Sequence, residues 1–429
     1  MKTKTSLVLT KELILLCICF VFVASHDSFG SGFSIQTQGA AAMGLSASVI
    51  AHSSSPSSIF FNPALINGLK GTQVELGTTL ISPSRNFISD ATNSEFSTES
   101  DLFYPSTFFI THQFSNRVGI GMGVFNSFGL GTRWSDSWEG RYLATNSELT
   151  VFVFNPVISV KVTDRLSLAA GLDVLTLDAT LEKKLNLGSF PDANQKFQGN
   201  GKGAGYNLGI LYDLTKDISL GASYRSHINT EIEGTITHTL PAGSEPYVGP
   251  LFPNTSAETD LTLPTQCHFG VAYRGIQRLV LEADLHFEGW SSYQEQRITL
   301  AQPVAGVTSV VTPKNWKDSY FYSAGADYRL NESVSLLGGY LYSQNPIPNE
   351  TFEPAIPDSN LQVVSVGTEL RYKKLVVGLS YGYEILKDRR KGNSLDANPI
   401  DGVVNPLTSA NGLYKGNIHL LGMSAAFRF

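Results

Sequence analysis

The apolar run at residues 13–24 of this 429-residue chain is twelve residues, short of the roughly eighteen a membrane-spanning helix requires, and no other stretch comes near that length, so a helical membrane protein is not expected. Cysteine is almost absent. Cys17 and Cys19 sit in the N-terminal leader and Cys267 stands alone, which excludes an intrachain disulfide once the leader is gone. No GxxxxGK[ST] run is present; Gly199-Asn200-Gly201-Lys202-Gly203 lacks that spacing and reads as a flexible loop. The eight histidines are scattered, with no HExxH or Cys/His spacing for a metal. A formal net charge of −6 offers no basic field for nucleic acid. Neither a nucleotide, a metal nor another cofactor is expected, and no enzymatic constellation appears.

The leader itself is informative. Lys2, Lys4 and Lys11 precede the apolar stretch from Leu13 to Ala24, and Ser28-Phe29-Gly30 puts small residues at both positions that define a cleavage site. Residues 1–30 are therefore expected to be an export signal cut before Ser31. Leu16 precedes Cys17 where a lipoprotein signal needs a small residue, so lipidation is not expected. Cleavage leaves 28 basic and 35 acidic residues, a net charge of −7.

From Thr72 to Phe429 the chain has a rhythm of short alternating runs whose connections are tight and long by turns. Tight ones lie at 114–117, 163–165, 214–217, 275–278, 331–333 and 373–374. Long Pro/Gly/Asn/Ser stretches lie near 82–103, 126–147, 184–203, 237–258, 301–314, 345–360 and 387–415. Six turns and seven loops join fourteen strands. An even strand number, with short turns on one rim and long loops on the other, is the pattern of a bacterial outer-membrane barrel.

Alternation tests that assignment, because every second residue of a strand faces the same way. Leu279, Leu281, Ala283, Leu285 and Phe287 share one face, while Val280, Glu282, Asp284, His286 and Glu288 share the other. Leu421, Met423, Ala425 and Phe427 likewise oppose Leu420, Gly422, Ser424, Ala426 and Arg428. A slip of one residue would push three carboxylates into lipid, so the register is strongly specified. A soluble sandwich of this length would need two or three domains, and no linker-like break follows residue 72. The lumen carboxylates Glu282, Asp284 and Glu288 are expected to pair with Arg225, Arg274, Arg329 and Arg371, and His268 and His286 to be satisfied lumen residues.

Between Ser31 and Gly68 not one residue is Asp, Glu, Lys or Arg, and half of these thirty-eight residues are Gly, Ala or Ser. A periplasmic tail would carry charge; an uncharged, small-residue segment is suited to burial. Residues 31–71 are read as a lumen plug, with short helices over 38–44 and over 62–66, where Pro63 suits a first turn. The fold class is thus an all-β membrane protein: a fourteen-stranded antiparallel transmembrane β-barrel over 72–429, with a small N-terminal helical hatch in its lumen.

Several runs then take on meaning together: Phe61-Asn62-Pro63-Ala64-Leu65, Phe128-Gly129-Leu130, Trp138-Glu139-Gly140-Arg141-Tyr142, Leu261-Thr262-Leu263-Pro264, Asn315-Trp316-Lys317-Asp318, and Pro346-Ile347-Pro348 with Ile356-Pro357-Asp358. In order and spacing, from about Ser31 to Phe429, the chain resembles the FadL family of Gram-negative outer-membrane transporters for long-chain fatty acids and other hydrophobic compounds. The resemblance implies a hatched fourteen-stranded barrel and a passive route. Extracellular loops catch a hydrophobic ligand, a pocket above the hatch holds it, and a gap in the wall at a kink of the third strand releases it sideways into lipid.

Carried onto this chain, the resemblance makes Ser31, Gly32 and Phe33, with Asn62, Pro63 and Ala64, candidates for the pocket and hatch. Phe128 and Gly129 are candidates for the wall gap. Lys183 and Lys184 are either partners for a substrate carboxylate or a solvated pair at a loop base. The loop near 184–203 is shorter and more polar than in fatty acid members, while Leu240, Tyr247, Val248, Leu251 and Phe252 in the next long loop offer apolar surface for capture. The implied partners are hydrophobic small molecules, fatty acids or small aromatic hydrocarbons, together with outer-membrane lipid. A monomer is expected. Competing readings are an outer-membrane hydrolase, for which no serine-histidine constellation is present, an adhesive barrel, which would not need an uncharged plug, and an open porin.

Overall fold

The computed structural model describes residues 32–397 and 403–429; the leader, its cleavage point and Ser31 lie outside the described residues. The chain closes into a fourteen-stranded antiparallel barrel. Its strands are β1 (Thr72–Ser89), β2 (Ser106–Gln113), β3 (Val118–Phe125 and Gly129–Arg133), β4 (Asn146–Lys161), β5 (Leu166–Leu185), β6 (Ala193–Asp213) and β7 (Ile218–Arg225 and Ile228–Thr239). The second half comprises β8 (Thr255–Leu263 and Gln266–Ile276), β9 (Leu279–Glu288 and Glu295–Val304), β10 (Val307–Pro313 and Ser319–Arg329), β11 (Val334–Ser343), β12 (Leu361–Tyr372), β13 (Leu375–Leu386) and β14 (Gly412–Arg428). Closure is made by β14 on β1, in register from Gln73↔Arg428 to Ser89↔Gly412.

The turn chemistry explains the tight rim. Ser115, Thr163 and Thr215 hydroxyls each accept from the amides two and three residues on, at 3.0–3.2 Å. These side chains do the work of a turn backbone. In the shortest hairpins Arg278 and Lys373 take φ of 65° and 53°, the left-handed geometry a two-residue hairpin demands.

Alternation holds as expected. Glu282, Asp284, His286 and Glu288 are buried, while Leu172, Val174, Ile210, Val366 and Met423 on outward faces remain exposed. That much outward aliphatic surface suits lipid rather than water. The strands β5 and β6, at 20 and 21 residues, are about twice the length that crosses a bilayer, so they run on beyond it.

Two of the expected loops are mostly strand. The connection of β5 to β6 is only residues 186–192, and Gly199 to Gly203 lies inside β6. A Cβ on Gly199 would come within 2.8 Å of the Glu233 carbonyl, and one on Gly203 within 2.9 Å of that of Asn229. These glycines let β6 and β7 approach closely, which the sequence alone presents as loop composition. Likewise 301–314 is largely a hairpin of β9 and β10, turning at Ala305 and Gly306 with φ of 48° and 83°.

The segment before β1 runs inside the barrel, with α1 (Ala40–Gly44), α2 (Ser58–Phe61) and a 3-10 turn over Pro63–Gly68. Having no charge before Lys70, it offers the wall mainly backbone groups, and the wall supplies their partners. Asp284 accepts from the amides of Val49 (3.0 Å) and Ile50 (3.3 Å), Glu282 from Ala51 (2.5 Å), and Glu75 from Ser57 (3.0 Å) and the Ser55 hydroxyl. In the opposite sense, hydroxyls of Ser159, Ser223, Ser365 and Ser380 donate to the carbonyls of Ala64, Phe61, Gly44 and Ala40. Every such bond satisfies a group that burial would otherwise strand. The expected lattice between Glu282, Asp284 or Glu288 and the arginines is therefore corrected: Arg225 pairs with Asp173, Arg274 with Asp213 and Arg371 with Glu369. The lumen acids on β9 serve the hatch instead.

Candidate ligand cavity and wall opening

Strand β3 is broken at residues 126–128. Its first segment pairs with β2 from Gln113↔Gly119 to Phe108↔Val124, and with β4 on its other side. Its second segment keeps β4, from Gly129↔Thr150 to Arg133↔Asn146, but has no ladder with β2. The freed edge is taken by the hatch: Ile35 N–H donates to the Ser127 carbonyl and Gly129 N–H to that of Phe33, both at 2.9 Å. Asn126 holds the break, its amide donating to Val151 O at 2.6 Å while its carbonyl accepts from Gln38 Nε2 at 2.5 Å.

Beside this break lies a cavity of about 690 Å³. Inside the barrel it is bounded by Phe33, Met43, Phe128, Phe321, Leu341 and Val363; toward the break it includes Gly129, Gly131, Phe103 and Tyr104, and it reaches Phe152 on the lipid-facing side of β4. The volume falls in the range of small-molecule sites. A Cβ on Gly131 would overlap the Phe103 ring, so the glycine gives that ring its seat over the break. A smaller cavity, about 70 Å³, lies behind Phe33 and Leu130 among Leu181, Phe197, Ile232, Leu261 and Tyr293.

Phe33, which lines both cavities, belongs to an aromatic cluster. Phe33 stands 4.7 Å from Trp290, 5.7 Å from Trp316 and 6.0 Å from Phe128 by ring centroids, with edge-on or tilted geometry. Gly32 precedes it at φ 68°, where a Cβ would press within 3.0–3.1 Å of Trp316 and Trp290. Glycine is needed there on both counts. Its N–H donates to Asp358 Oδ2 at 2.8 Å, and Glu288 accepts from Gln36, Gln266 and the Trp290 indole.

Of the residues singled out from sequence, Gly32, Phe33, Phe128 and Gly129 come together at the cavity. Asn62, Pro63 and Ala64 lie apart from it and hold the hatch's own fold. The Asn62 amide donates to the carbonyls of Ile50 (2.8 Å) and Ile210 (3.0 Å), and its oxygen accepts from Ala64 N–H. Lys183 and Lys184 fall within the end of β5, not after it, and line neither cavity; Lys184 pairs with Asp136 at 2.6 Å. Leu240, Tyr247, Val248, Leu251 and Phe252 gather in the β7–β8 loop, with Tyr247 and Leu251 exposed. The Tyr247 ring meets Phe190 of the β5–β6 connection at 5.7 Å, so the two loops share an apolar outer surface.

Sequence reasoning passed over cations that line these cavities. Lys314, paired with Glu353 and nearly enclosed, lines the smaller one beside Tyr293. It also missed Arg85 and Glu384, which line the larger one.

Residues 21–429 match the family described as outer membrane protein transport protein (OMPP1/FadL/TodX). The chain belongs to this FadL/TodX family. Among relatives, it is 25% identical to the long-chain fatty acid transport protein of Salmonella typhi, over 75% of this chain and 80% of that one. It is 23% identical to the 47 kDa outer membrane protein of Pasteurella multocida, over 86% and 87%. In structure it is similar to a Pseudomonas aeruginosa FadL homologue, with a TM-score of 0.82 at 19% identity, covering 93% of this chain and all of that one. It is also similar to the P. putida toluene transporter TodX, with a TM-score of 0.70 at 18% identity, covering 94% and 99%. These solved structures share the barrel fold. As a FadL/TodX member the chain is an outer-membrane transport protein, not an enzyme.

Proposed function

We propose that this barrel carries hydrophobic compounds, foremost long-chain fatty acids, passively across the outer membrane. In this reading residues 1–30 are the export signal, 31–71 the hatch and 72–429 the barrel, and each barrel works as a monomer. A ligand settles on the apolar loop surface around Leu240, Tyr247, Val248, Leu251 and Phe252, descends past the aromatic cluster, and rests in the larger cavity. Its exit is lateral, through the break in β3 beside Phe128 and Gly129.

The observation that carries this reading is the cavity's course from Phe33 and Phe321 inside to Phe152 outside, through a place where β3 has lost β2. The energetics favour that course. Each methylene in an apolar site is worth about 0.8 kcal/mol, so a long chain resists release into water yet passes into lipid with little loss. Lys314 borders the smaller cavity, which Lys183 and Lys184 do not, but it is already paired with Glu353 and so offers a passing carboxylate a shared cation rather than a free one. Relatives named as fatty acid transport proteins support the choice of ligand.

A second reading, uptake of small aromatic hydrocarbons, is favoured by the short 186–192 connection, which leaves little outer groove for a long chain, and by the likeness to TodX. Mass spectrometry of ligand co-purified with the protein decides between them. A C16–C18 acid supports the first reading and a monoaromatic the second. Large steady ion currents in planar bilayers would rule out a hatched transporter of either kind.

A further inference from the structure

Charged side chains line the larger cavity at two places, one of which lies against β14. There Arg85 of β1, Glu384 of β13 and Asp358 of the β11–β12 loop line it, close to Ile81, Ile418 and Leu420. The placement follows from register: Arg85 lies opposite Gly416 of β14, and Glu384 opposite Ile418 two residues on. Gly416 makes the room, since a Cβ there would fall 2.9 Å from Arg85 Nη1. Among the described residues the Arg85 guanidinium makes no hydrogen bond, its Nη1 being enclosed against the wall, and neither Arg85 nor Glu384 forms an ion pair. Arginine thus has a donor to spare, and the carboxylate has acceptors to spare.

The charge balance decides what fits. Arg85 faces two acids, Glu384 and Asp358, and Arg389 adds the second cation by donating to the Asp358 carbonyl at 2.9 Å. At the far end Arg133 already faces Glu99 and Asp101 at 3.8 and 3.7 Å, with Glu148 beside them. An incoming anion meets no net positive field. A head group that is uncharged, accepts one hydrogen bond and donates another satisfies both idle partners.

We infer that this corner recognises the un-ionised, protic head of an amphiphile, a carboxylic acid in its protonated form or a primary alcohol. The head accepts from Arg85 and donates to Glu384, and the chain lies along the apolar side toward the break in β3. The inference rests on the proposed transport reading and gives it a chemical selectivity: ligand is held in the form that partitions into lipid without carrying charge.

The test is a binding series on the full barrel in lipid nanodiscs: palmitic acid, hexadecanol, methyl palmitate and toluene. Acid and alcohol should bind with similar affinity, and about tenfold tighter than the methyl ester, which cannot donate and leaves Glu384 unmet. In Arg85→Met and Glu384→Leu that ratio should fall to about one while the ester's own affinity stays. Equal affinities for acid, alcohol and ester in the native protein would overturn the inference, as would strong preference for acid over alcohol; either leaves the transport reading standing. Binding of none of the four would overturn both. The native series decides even if a variant fails to insert.

Discussion

The amide of Gly129 donates to the carbonyl of Phe33 across 2.9 Å, so a wall residue whose strand neighbour is missing is hydrogen-bonded to the hatch. A Cβ on Gly129 would stand 2.7 Å from Ile35 Cδ1. Gly129→Arg therefore fills the break and crowds the hatch strand beside it, at a cost of about 1–3 kcal/mol for overpacking. The barrel ladders elsewhere are untouched, so insertion should persist while uptake of labelled oleate or toluene falls at least about tenfold. Parental uptake by a properly inserted variant would exclude this exit.

The hatch is tied by wall carboxylates, and removing them should loosen it without harming the barrel. In Glu282→Ala plus Asp284→Ala the amides of Val49, Ile50 and Ala51 lose their acceptors, each orphaned group costing about 1–3 kcal/mol. We expect residues 49–51 to become accessible to protease and intermittent ion currents to appear in planar bilayers. Unchanged protease resistance and silent bilayers would show that the serine hydroxyls suffice.

These ties mark where sequence reading stopped. The period-two alternation of Leu279 to Glu288 gave the register because lipid tolerates only one solution. The absence of charge over 31–68 pointed to burial for a related reason. Yet sequence matches the same acids to arginines, since ionic side chains have a visible partner type there, whereas a hatch that offers backbone N–H groups has none. Gly199 to Gly203 misled similarly: close strand approach and loop flexibility demand the same residue. Phe128 and Gly129 were legible only by likeness to a family, and Arg85, Glu384 and Lys314 were not legible at all, being brought to the cavities by strands and loops distant in the chain.

Arg225 and Asp173 form a buried pair between β7 and β5, and Arg225 also donates to the Phe60 carbonyl of the hatch at 3.2 Å. Arg225→Met leaves Asp173, which is fully buried, without its counter-charge, for about 3–5 kcal/mol. Replacing both, Arg225→Met with Asp173→Leu, should recover most of that, since a buried pair is often no better than apolar packing of similar volume. Thermal unfolding in detergent, compared across the single and double variants, reads the difference. A double variant no more stable than the single would mean that the Phe60 contact, not the ion pair, is what Arg225 supplies.

Asp358 ties pH to the hatch. Burial raises its carboxyl from the ordinary 3.8 to about 6, against the opposing pull of Arg85 and the Gly32 amide. A folded state that holds this proton more tightly than the unfolded chain loses stability as pH rises from about 4 to 6, by at most roughly 3 kcal/mol from the 1.36 kcal/mol per pH unit relation, and the loss is complete above that window. Asp358→Asn keeps an oxygen for the Gly32 N–H but has no proton to release. The variant's unfolding temperature should therefore change less than the native protein's between pH 4 and 6 and exceed it at pH 7. If the two profiles run parallel, Asp358 titrates alike in the folded and unfolded chains, and its enclosure beside Gly32 carries no energetic weight.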